Sequence, residues 1–275
     1  LVRIDGSAVD ATETLADPGV EIPEEAAKVH GISTEKARTE GRDHDEVVRL
    51  VREHFGPRLV RGRRPVPPRK GSGRVTGKPT LLQVNRDSEQ THLSLGVRTP
   101  GRHWDSRWAL SVLNTALGGG LSSRLFQQIR ETRGLAYSVY STVDTFSDSG
   151  ALSIYAACLP ERFDEVVQVT TDVLTSVARD GITESECRIA KGSMRGGLVL
   201  GLEDSGSRMN RIGRSELNYG EHRSIADTLA KIDAVTLEEV NAVAHKLLSR
   251  PYGAAVLGPQ TSKRSLPQPL RAIAG

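Results

Sequence analysis

The amino-acid sequence predicts an α+β domain in which an antiparallel sheet is packed on one face by helices. Two strand-like segments lie at 81–84 and 92–97, and two more at 137–143 and 151–157 flank a polar turn. Helical patterns dominate the residues that follow the hairpin, and a last strand pattern lies at 253–257. Strands and helices that are grouped rather than alternating are typical of this class.

The helical segments have apolar residues at the spacing of an amphipathic helix. They span 104–117, 122–130, 163–178, 185–200, 204–217 and 237–247. Ser122 or Ser123 is placed to cap the second of these helices. Gly134 is placed to end the same helix in a left-handed conformation.

The composition is that of a soluble protein whose core consists of Leu, Val, Ala and Ile. The 275 residues are 37% hydrophobic and 26% charged, but only 4% aromatic. Cys158 and Cys187 have no Cys or His at metal-ligand spacing, so we predict buried free thiols in a reducing compartment. No apolar run approaches the roughly 20 residues of a membrane helix, and no signal peptide pattern is present. We therefore predict a cytoplasmic protein without a membrane partner.

The first part of the chain differs from the rest in composition. Residues 1–42 are acidic, and Ile22 to Ala27 has the pattern of a short helix with Pro23 in its first turn. A second helix is predicted from Asp43 to Phe55, with Asp43 as N-cap and Glu46 completing a capping box.

Residues 61–79 form a predicted linker that is rich in basic residues, proline and glycine and contains no acidic residue. A basic run of this kind is also compatible with contacts to nucleic acid. It contains no interleaved aromatic residues, and no base-reading module lies beside it, so we expect no nucleic-acid partner.

Three consecutive glycines, Gly118, Gly119 and Gly120, precede Ser122 and Ser123 at the predicted helix start. Glycines allow close approach to the backbone, and the N–H groups of a helix start can bind an anion or a carbonyl oxygen. The match to a phosphate-binding loop is poor, because no Gly-Lys-Ser/Thr ending follows and a helix precedes the turn.

Arg130 and Tyr137 are predicted to lie close together, because one ends the helix and the other begins the next strand. A guanidinium and a phenol together can polarise a carbonyl group or stabilise an oxyanion. The alternative is purely structural: Arg130 offsets the helix dipole and Tyr137 covers the core. The spacing alone does not distinguish these two interpretations.

The segment from Gly118 to Tyr140, Gly-Gly-Gly-Leu-Ser-Ser-Arg-Leu-Phe-Gln-Gln-Ile-Arg-Glu-Thr-Arg-Gly-Leu-Ala-Tyr-Ser-Val-Tyr, resembles the signature of the insulinase/pitrilysin zinc peptidases. This family includes the mitochondrial processing peptidases. The resemblance implies two related domains facing each other across a chamber, one of which carries an inverted His-x-x-Glu-His zinc motif. It implies that the other domain binds the substrate backbone near the scissile carbonyl through Arg130 and Tyr137. The same resemblance indicates a candidate substrate loop, which consists of Gly118, Gly119, Gly120, Ser122 and Ser123.

The zinc motif of that family is absent from this sequence. No two of the seven histidines are four residues apart, so no His-x-x-Glu-His occurs. We predict no metal site in this chain and expect zinc in a missing or partner domain. The resemblance divides the chain into the end of a truncated zinc domain at 43–60, the linker at 61–79 and a C-terminal domain at 80–275.

Residues 1–42 resemble a fragment of a proofreading-type 3′–5′ exonuclease. The resemblance lies in Arg3-Ile4-Asp5-Gly6 and Val29-His30-Gly31-Ile32-Ser33, without the metal-binding carboxylates of such enzymes. It indicates a truncated or chimeric chain whose first segment packs poorly.

Three functions follow from these patterns. The first is the substrate-gripping half of a zinc metalloendopeptidase, inactive alone, with a peptide or protein substrate and a zinc-bearing partner subunit or a homo-oligomer. The second is a peptide-binding or partner subunit that has lost catalysis. The third, an exonuclease fragment, is disfavoured because the metal carboxylates are missing.

Overall fold

The computed structural model describes residues 2–5, 8–11, 15–17, 19, 21–55, 80–221, 223–259 and 266–270. The chain forms two compact units, Leu1–Lys70 and Gly71–Gly275. The predicted linker at 61–79 and the end of the predicted zinc-domain remnant at 56–60 lie outside the described residues. The predicted domain boundaries therefore stay predictions.

The first unit contains a hairpin and three helices. The bounds are β1 Val2–Asp5, antiparallel to β2 Ala8–Ala11, then α1 Glu24–His30, α2 Thr34–Glu40 and α3 His44–Phe55. The two predicted helices correspond to α1 and α3, whereas the hairpin and α2 were not predicted. Asp43 accepts a hydrogen bond from the Glu46 N–H at 2.8 Å, as expected of an N-cap.

Packing within this first unit is described for only part of its side chains. Among them, Ala37 is the one fully buried hydrophobic residue. The predicted poor packing of residues 1–42 stays a prediction.

The second unit is built on a five-stranded sheet. Its strands are β3 Leu81–Asn85, β4 Thr91–Thr99, β5 Ala136–Thr145, β6 Gly150–Cys158 and β7 Gly253–Gly258, in the spatial order β3-β7-β4-β6-β5. Every pair is antiparallel except β3 and β7, which are parallel because the last strand inserts between β3 and β4. The sheet is therefore mixed at this one pair, and β5 is an edge strand.

Helices follow and separate the strands. The bounds are α4 Arg107–Leu117, a π-helix at Phe126–Glu131, a 3₁₀ turn at Pro160–Arg162, α5 Phe163–Asp180, α6 Glu184–Leu200, α7 Ser205–Tyr219, α8 Ile225–Ala234 and α9 Leu237–Leu248. All predicted helices of this unit are present. Helix α8 was not predicted, although Ser224 caps it by accepting from the Asp227 N–H at 3.0 Å.

One face of the sheet is covered by these helices, and several side chains of the other face, called the open face below, are exposed. Along β4 and β6, alternate side chains such as Leu93 and Ile154 are buried in the same hydrophobic core as Leu113 of α4. Burying each such side chain stabilises the fold by about 1.5–3 kcal/mol. The opposite positions are exposed, for example Leu82 at 60% and Tyr140 at 45%. The predicted α+β class, with helices on one face of the sheet, is confirmed.

The predicted burial of both cysteines is also confirmed. Cys158 and Cys187 are free and buried, and burial raises the pKa of the Cys158 thiol to about 11. The described helices include no segment with the length and hydropathy that crossing a membrane requires.

Candidate substrate-binding site

The first glycine of the turn joins α4 to the edge strand. The Gly118 carbonyl accepts from the Ser141 N–H at 3.0 Å, and the Ser141 hydroxyl donates to the Asn114 carbonyl at 3.1 Å. A Cβ atom on Gly118 would lie 2.5 Å from the Ser141 nitrogen. The φ of Gly118 is −158°, so this position requires space and not a left-handed conformation. The three glycines predicted that some group lies close to the backbone here. At Gly118 that group is the backbone of β5.

The remaining residues of the turn lie nearer the surface. A Cβ atom on Gly119 would lie 2.8 Å from the Thr115 Cα, whereas one on Gly120 would meet nothing within 4 Å. Leu121 is 72% exposed and Ser122 is exposed beside it. The turn therefore presents its tip, and not Gly118, to the surroundings.

The prediction that Ser122 or Ser123 caps the helix is not met in the structure. Ser123 is buried, and its hydroxyl has no hydrogen-bond partner in the part of the chain that the structure describes. Its carbonyl accepts from the Gln127 N–H at 2.9 Å, and no side chain caps the π-helix. The cap prediction was wrong because Ser123 turns its side chain inward, where it lines a small cavity with Ala190 and Ser193 of α6.

The helix that carries Arg130 is wider than an α-helix at its end. The Thr132 N–H donates to the Gln127 carbonyl at 2.9 Å, a separation of five residues. Gly134 then ends the helix with φ at +60°, as predicted, and its N–H donates to the Arg130 carbonyl at 3.0 Å. Widened turns of this kind occur frequently at functional sites.

The strand that carries Tyr137 begins with a bulge. Ala136 is paired with Cys158 and Ser138 with Ala157, so Tyr137 is the extra residue between them. A bulge redirects a side chain away from the regular alternation. The Tyr137 side chain is 76% exposed as a result.

Arg130 and Tyr137 are in direct contact. The Arg130 Nη1 donates to the Tyr137 carbonyl at 2.9 Å, and the Arg130 Cζ lies 4.2 Å from the centroid of the Tyr137 ring. Phe126 lies on the guanidinium as well, with its centroid 4.9 Å from Cζ. These cation–π contacts orient the guanidinium, and its Nε also lies 3.9 Å from Oε1 of Glu131, a carboxylate that is 52% exposed. The Arg130 side chain stays 34% exposed.

Three aromatic residues of the open face were missed by the sequence analysis. Tyr140 and Tyr155 face each other on β5 and β6, with ring centroids 5.0 Å apart, and the His92 Nδ1 lies 2.7 Å from the Tyr155 hydroxyl oxygen. Burial and the neighbouring Tyr140 raise the pKa of Tyr155. Alternation along the predicted strands, which puts all three opposite the apolar positions, was the signal that could have found them.

An ion pair ties the start of the π-helix to α6. Arg124 donates through Nε to Oε1 of Glu186 and through Nη2 to Oε2 at 2.7 Å, and the Thr183 N–H also donates to Oε2 at 2.7 Å. Burial opposes ionisation of Glu186, but the hydrogen bonds from Arg124 and Thr183 outweigh it and lower the pKa of Glu186. The carboxylate is therefore ionised at neutral pH.

No group of three His, Cys, Asp or Glu side chains that could hold a metal occurs among the described residues. The functional groups that the candidate site presents are hydrogen-bond donors. An exposed phenol and a guanidinium lie side by side at the start of an edge strand.

The family model described as the peptidase M16 inactive domain matches residues 41–194. The chain belongs to the M16 peptidase family. It corresponds to the inactive domain, the half of these insulinase-type zinc proteases that lacks the zinc motif, and the predicted family is confirmed. The match begins at residue 41, so the resemblance of residues 1–42 to an exonuclease stays a prediction.

The relatives of this M16 domain are described as zinc proteases. One from Mycobacterium tuberculosis, described as an uncharacterized zinc protease, is 77% identical over 233 residues, which are 85% of this chain and 53% of that protein. The zinc protease YmxG of Bacillus subtilis, also described as uncharacterized, is 38% identical over 196 residues, covering 69% of this chain and 48% of YmxG. The chain spans about half the length of these curated relatives.

Solved structures share the fold. A protease from Helicobacter pylori superposes with a TM-score of 0.68 at 18% identity, covering 86% of this chain and 58% of that one. An M16 inactive domain from Pseudomonas fluorescens has a TM-score of 0.60 at 24% identity, covering 69% of this chain and 45% of that one.

The contact between the turn and β5 makes Gly118 sensitive to substitution. We expect Gly118→Ala to lower the free energy of unfolding by about 1–3 kcal/mol, because the added methyl group overpacks the site. The measurement is urea unfolding followed by circular dichroism. Gly120→Ala in the same turn is the matched control and should cost little, since its Cβ meets nothing within 4 Å. Equal losses in both variants would contradict the proposed contact.

The Arg124–Glu186 pair makes stability depend on acid pH. Because folding lowers the pKa of Glu186, its contribution is present above the unfolded pKa of about 4.3 and is lost as pH falls through the folded pKa. We expect Glu186→Gln to lower the free energy of unfolding by about 1.5–3 kcal/mol at pH 7, and to narrow the gap to wild type as the solution is acidified. Urea unfolding across the acid range measures this.

Glu165→Gln is the control for that experiment. Glu165 lies on the exposed surface of α5 at 3.9 Å from Arg162, where an ion pair contributes little. A loss for Glu186→Gln that stays constant from neutral to acid pH would show that ionisation of Glu186 is not the cause.

Proposed function

We propose that this M16 domain is the substrate-binding half of a zinc endopeptidase. In this proposal Arg130 and Tyr137 hold the backbone of an extended peptide at its scissile carbonyl. The observation that carries the proposal is the contact between the two residues: an exposed Tyr137 ring lies 4.2 Å from the Arg130 guanidinium, at the bulge that opens the edge strand.

The chemistry suits a carbonyl oxygen that gains negative charge. A guanidinium has five N–H donors. In Arg130, Nη1 donates to the Tyr137 carbonyl, and Nε lies 3.9 Å from the Glu131 carboxylate. In this proposal, the remaining N–H groups of Arg130 and the hydroxyl group of Tyr137 donate hydrogen bonds to the ligand. Preorganised donors aimed at a developing oxyanion lower the barrier of acyl transfer.

The edge strand suits an extended ligand. A peptide can add to an exposed sheet edge through its main chain while its side chains enter neighbouring pockets. The triglycine turn covers the edge of β5 at Ser141 through Gly118, which favours the beginning of the strand, where Tyr137 lies, as the docking segment. Gly119, Gly120 and Ser122 then form the adjoining wall, whereas the hydroxyl of Ser123 faces inward.

The zinc of this proposed enzyme is held by another polypeptide segment or subunit. The sequence contains no His-x-x-Glu-His, and its relatives, described as zinc proteases, are about twice as long as the matched part. Zinc supplies a Lewis acid and an activated water in such enzymes. The chain alone is then inactive and needs a zinc-bearing half. We also propose that the protein is located in the cytoplasm, because cysteines stay as free thiols in a reducing compartment.

The test combines the purified chain with a separately produced zinc-bearing half of an M16 relative and follows cleavage of an internally quenched peptide. We expect turnover from the mixture and none from the chain alone. Arg130→Ala should lower kcat/KM by about 10²–10³, the range for a lost oxyanion donor, and Tyr137→Phe should lower it as well. Thermal unfolding of each variant checks that it is folded.

Arg133→Ala is the matched control, because Arg133 lies on the same turn but contacts Gln128 instead of Tyr137. Turnover that is unchanged in Arg130→Ala and Tyr137→Phe would remove the role proposed for the pair. Peptide binding without cleavage by the zinc-loaded mixture would favour the alternative, a binding subunit that has lost catalysis.

A further inference from the structure

A groove on the second unit is lined by arginines. It lies between the start of α4, the end of β5, α7 and α8, and has a volume of about 340 Å³. The described residues that line it include no Asp or Glu, whereas five are arginines: Arg102, Arg107, Arg211, Arg214 and Arg223.

The partners of these arginines are mostly neutral. The Arg211 Nη2 donates to the Thr228 hydroxyl at 2.9 Å and to two backbone carbonyls. The Arg107 Nη1 donates to the Trp104 carbonyl at 3.4 Å. The Arg102 Nη1 donates to the Asn218 side chain. These hydrogen bonds fix the side chains without cancelling their charge.

Only one of the five has a carboxylate partner among the described residues. Arg223 donates from Nε to Glu221 at 2.7 Å, and Glu221 is 59% exposed. Arg214 is exposed and makes no hydrogen bond or ion pair with the described part of the chain. Glu221 and Asp227 line an adjoining groove, where Asp227 accepts from the Ser224 hydroxyl at 2.6 Å.

The same wall contains buried donors without acceptors. Within the described residues, Nε of Arg102, Nε of Arg107 and Nε1 of Trp108 are shielded from solvent and have no hydrogen-bond partner. Unsatisfied buried donors are unfavourable. Together with the positive charge of the arginines, they make the groove rich in hydrogen-bond donors, and its described lining contains no carboxylate.

We propose that this groove binds a small multivalent oxyanion of the phosphate class. Guanidinium groups match phosphate oxygens in geometry as well as in charge, and a groove lined by charges of one sign concentrates counter-ions. The volume of about 340 Å³ accommodates a di- or triphosphate group. The site does not use Arg130 or Tyr137, so it stands whether or not the peptidase proposal does.

Isothermal titration calorimetry with inorganic tripolyphosphate tests the proposal on the full chain at low ionic strength. We expect saturable binding that weakens as salt is added, because salt screens the charges. Arg214→Gln and Arg107→Gln should each raise Kd on the order of tenfold, the loss expected for a charged hydrogen bond. Arg214 is exposed and has no hydrogen-bond or ion-pair partner among the residues that the structure describes, so its variant should fold like wild type.

Arg188→Gln is the matched control, because it removes the same charge from an exposed position of α6 outside the groove. An unchanged Kd in both groove variants, an equal loss in Arg188→Gln, or no saturable binding by wild type would overturn the proposal. Tighter binding of a glutamate-rich peptide than of tripolyphosphate would also overturn it, by assigning the groove to an acidic protein segment.

Discussion

The close contact between Gly118 and Ser141 is the constraint on which the candidate site depends. It joins the end of α4 to the middle of β5 through a backbone hydrogen bond of 3.0 Å, at a spacing that leaves no room for a Cβ. Arg130 lies on the π-helix that follows Gly118, and Tyr137 lies near the start of β5, the strand that contains Ser141. The relative position of guanidinium and phenol therefore rests on a backbone approach that only glycine permits.

Two irregularities of the backbone then bring the side chains together. The π-helix adds a residue to the last turn before Gly134, and the bulge adds one to the first pair of β5. Each irregularity interrupts a regular hydrogen-bond ladder, and Arg130 compensates by donating to the carbonyl of the bulged Tyr137. The same hydrogen bond that satisfies the strand also positions the guanidinium. Arg130 therefore has a structural role at the bulge, and the functional role proposed for it would use the same side chain.

Local patterns were sufficient to predict the strands of the second unit, most helices and the left-handed Gly134, because apolar alternation and helix-end signals act over a few residues. Non-local features could not be predicted in this way. The insertion of β7 between β3 and β4 depends on a strand about 170 residues further along the chain. The inward turn of Ser123 depends on space beside α6, and the bulge at Tyr137 on its pairing with β6. The family resemblance indicated the pair Arg130 and Tyr137, whereas the geometry of their contact needed the structure.

The candidate site is exposed, in contrast to the buried core of the domain. A Tyr137 ring that is 76% exposed buries little area, so it adds little to the hydrophobic stabilisation of the domain. The covered face of the sheet already supplies a continuous core from β4, β6 and α4. The open face nevertheless holds Tyr137, Tyr140 and Tyr155 in a chain with only 4% aromatic residues. Tyr140 and Tyr155 pack against each other with ring centroids 5.0 Å apart, whereas the exposed ring of Tyr137 is accessible to the peptide proposed above.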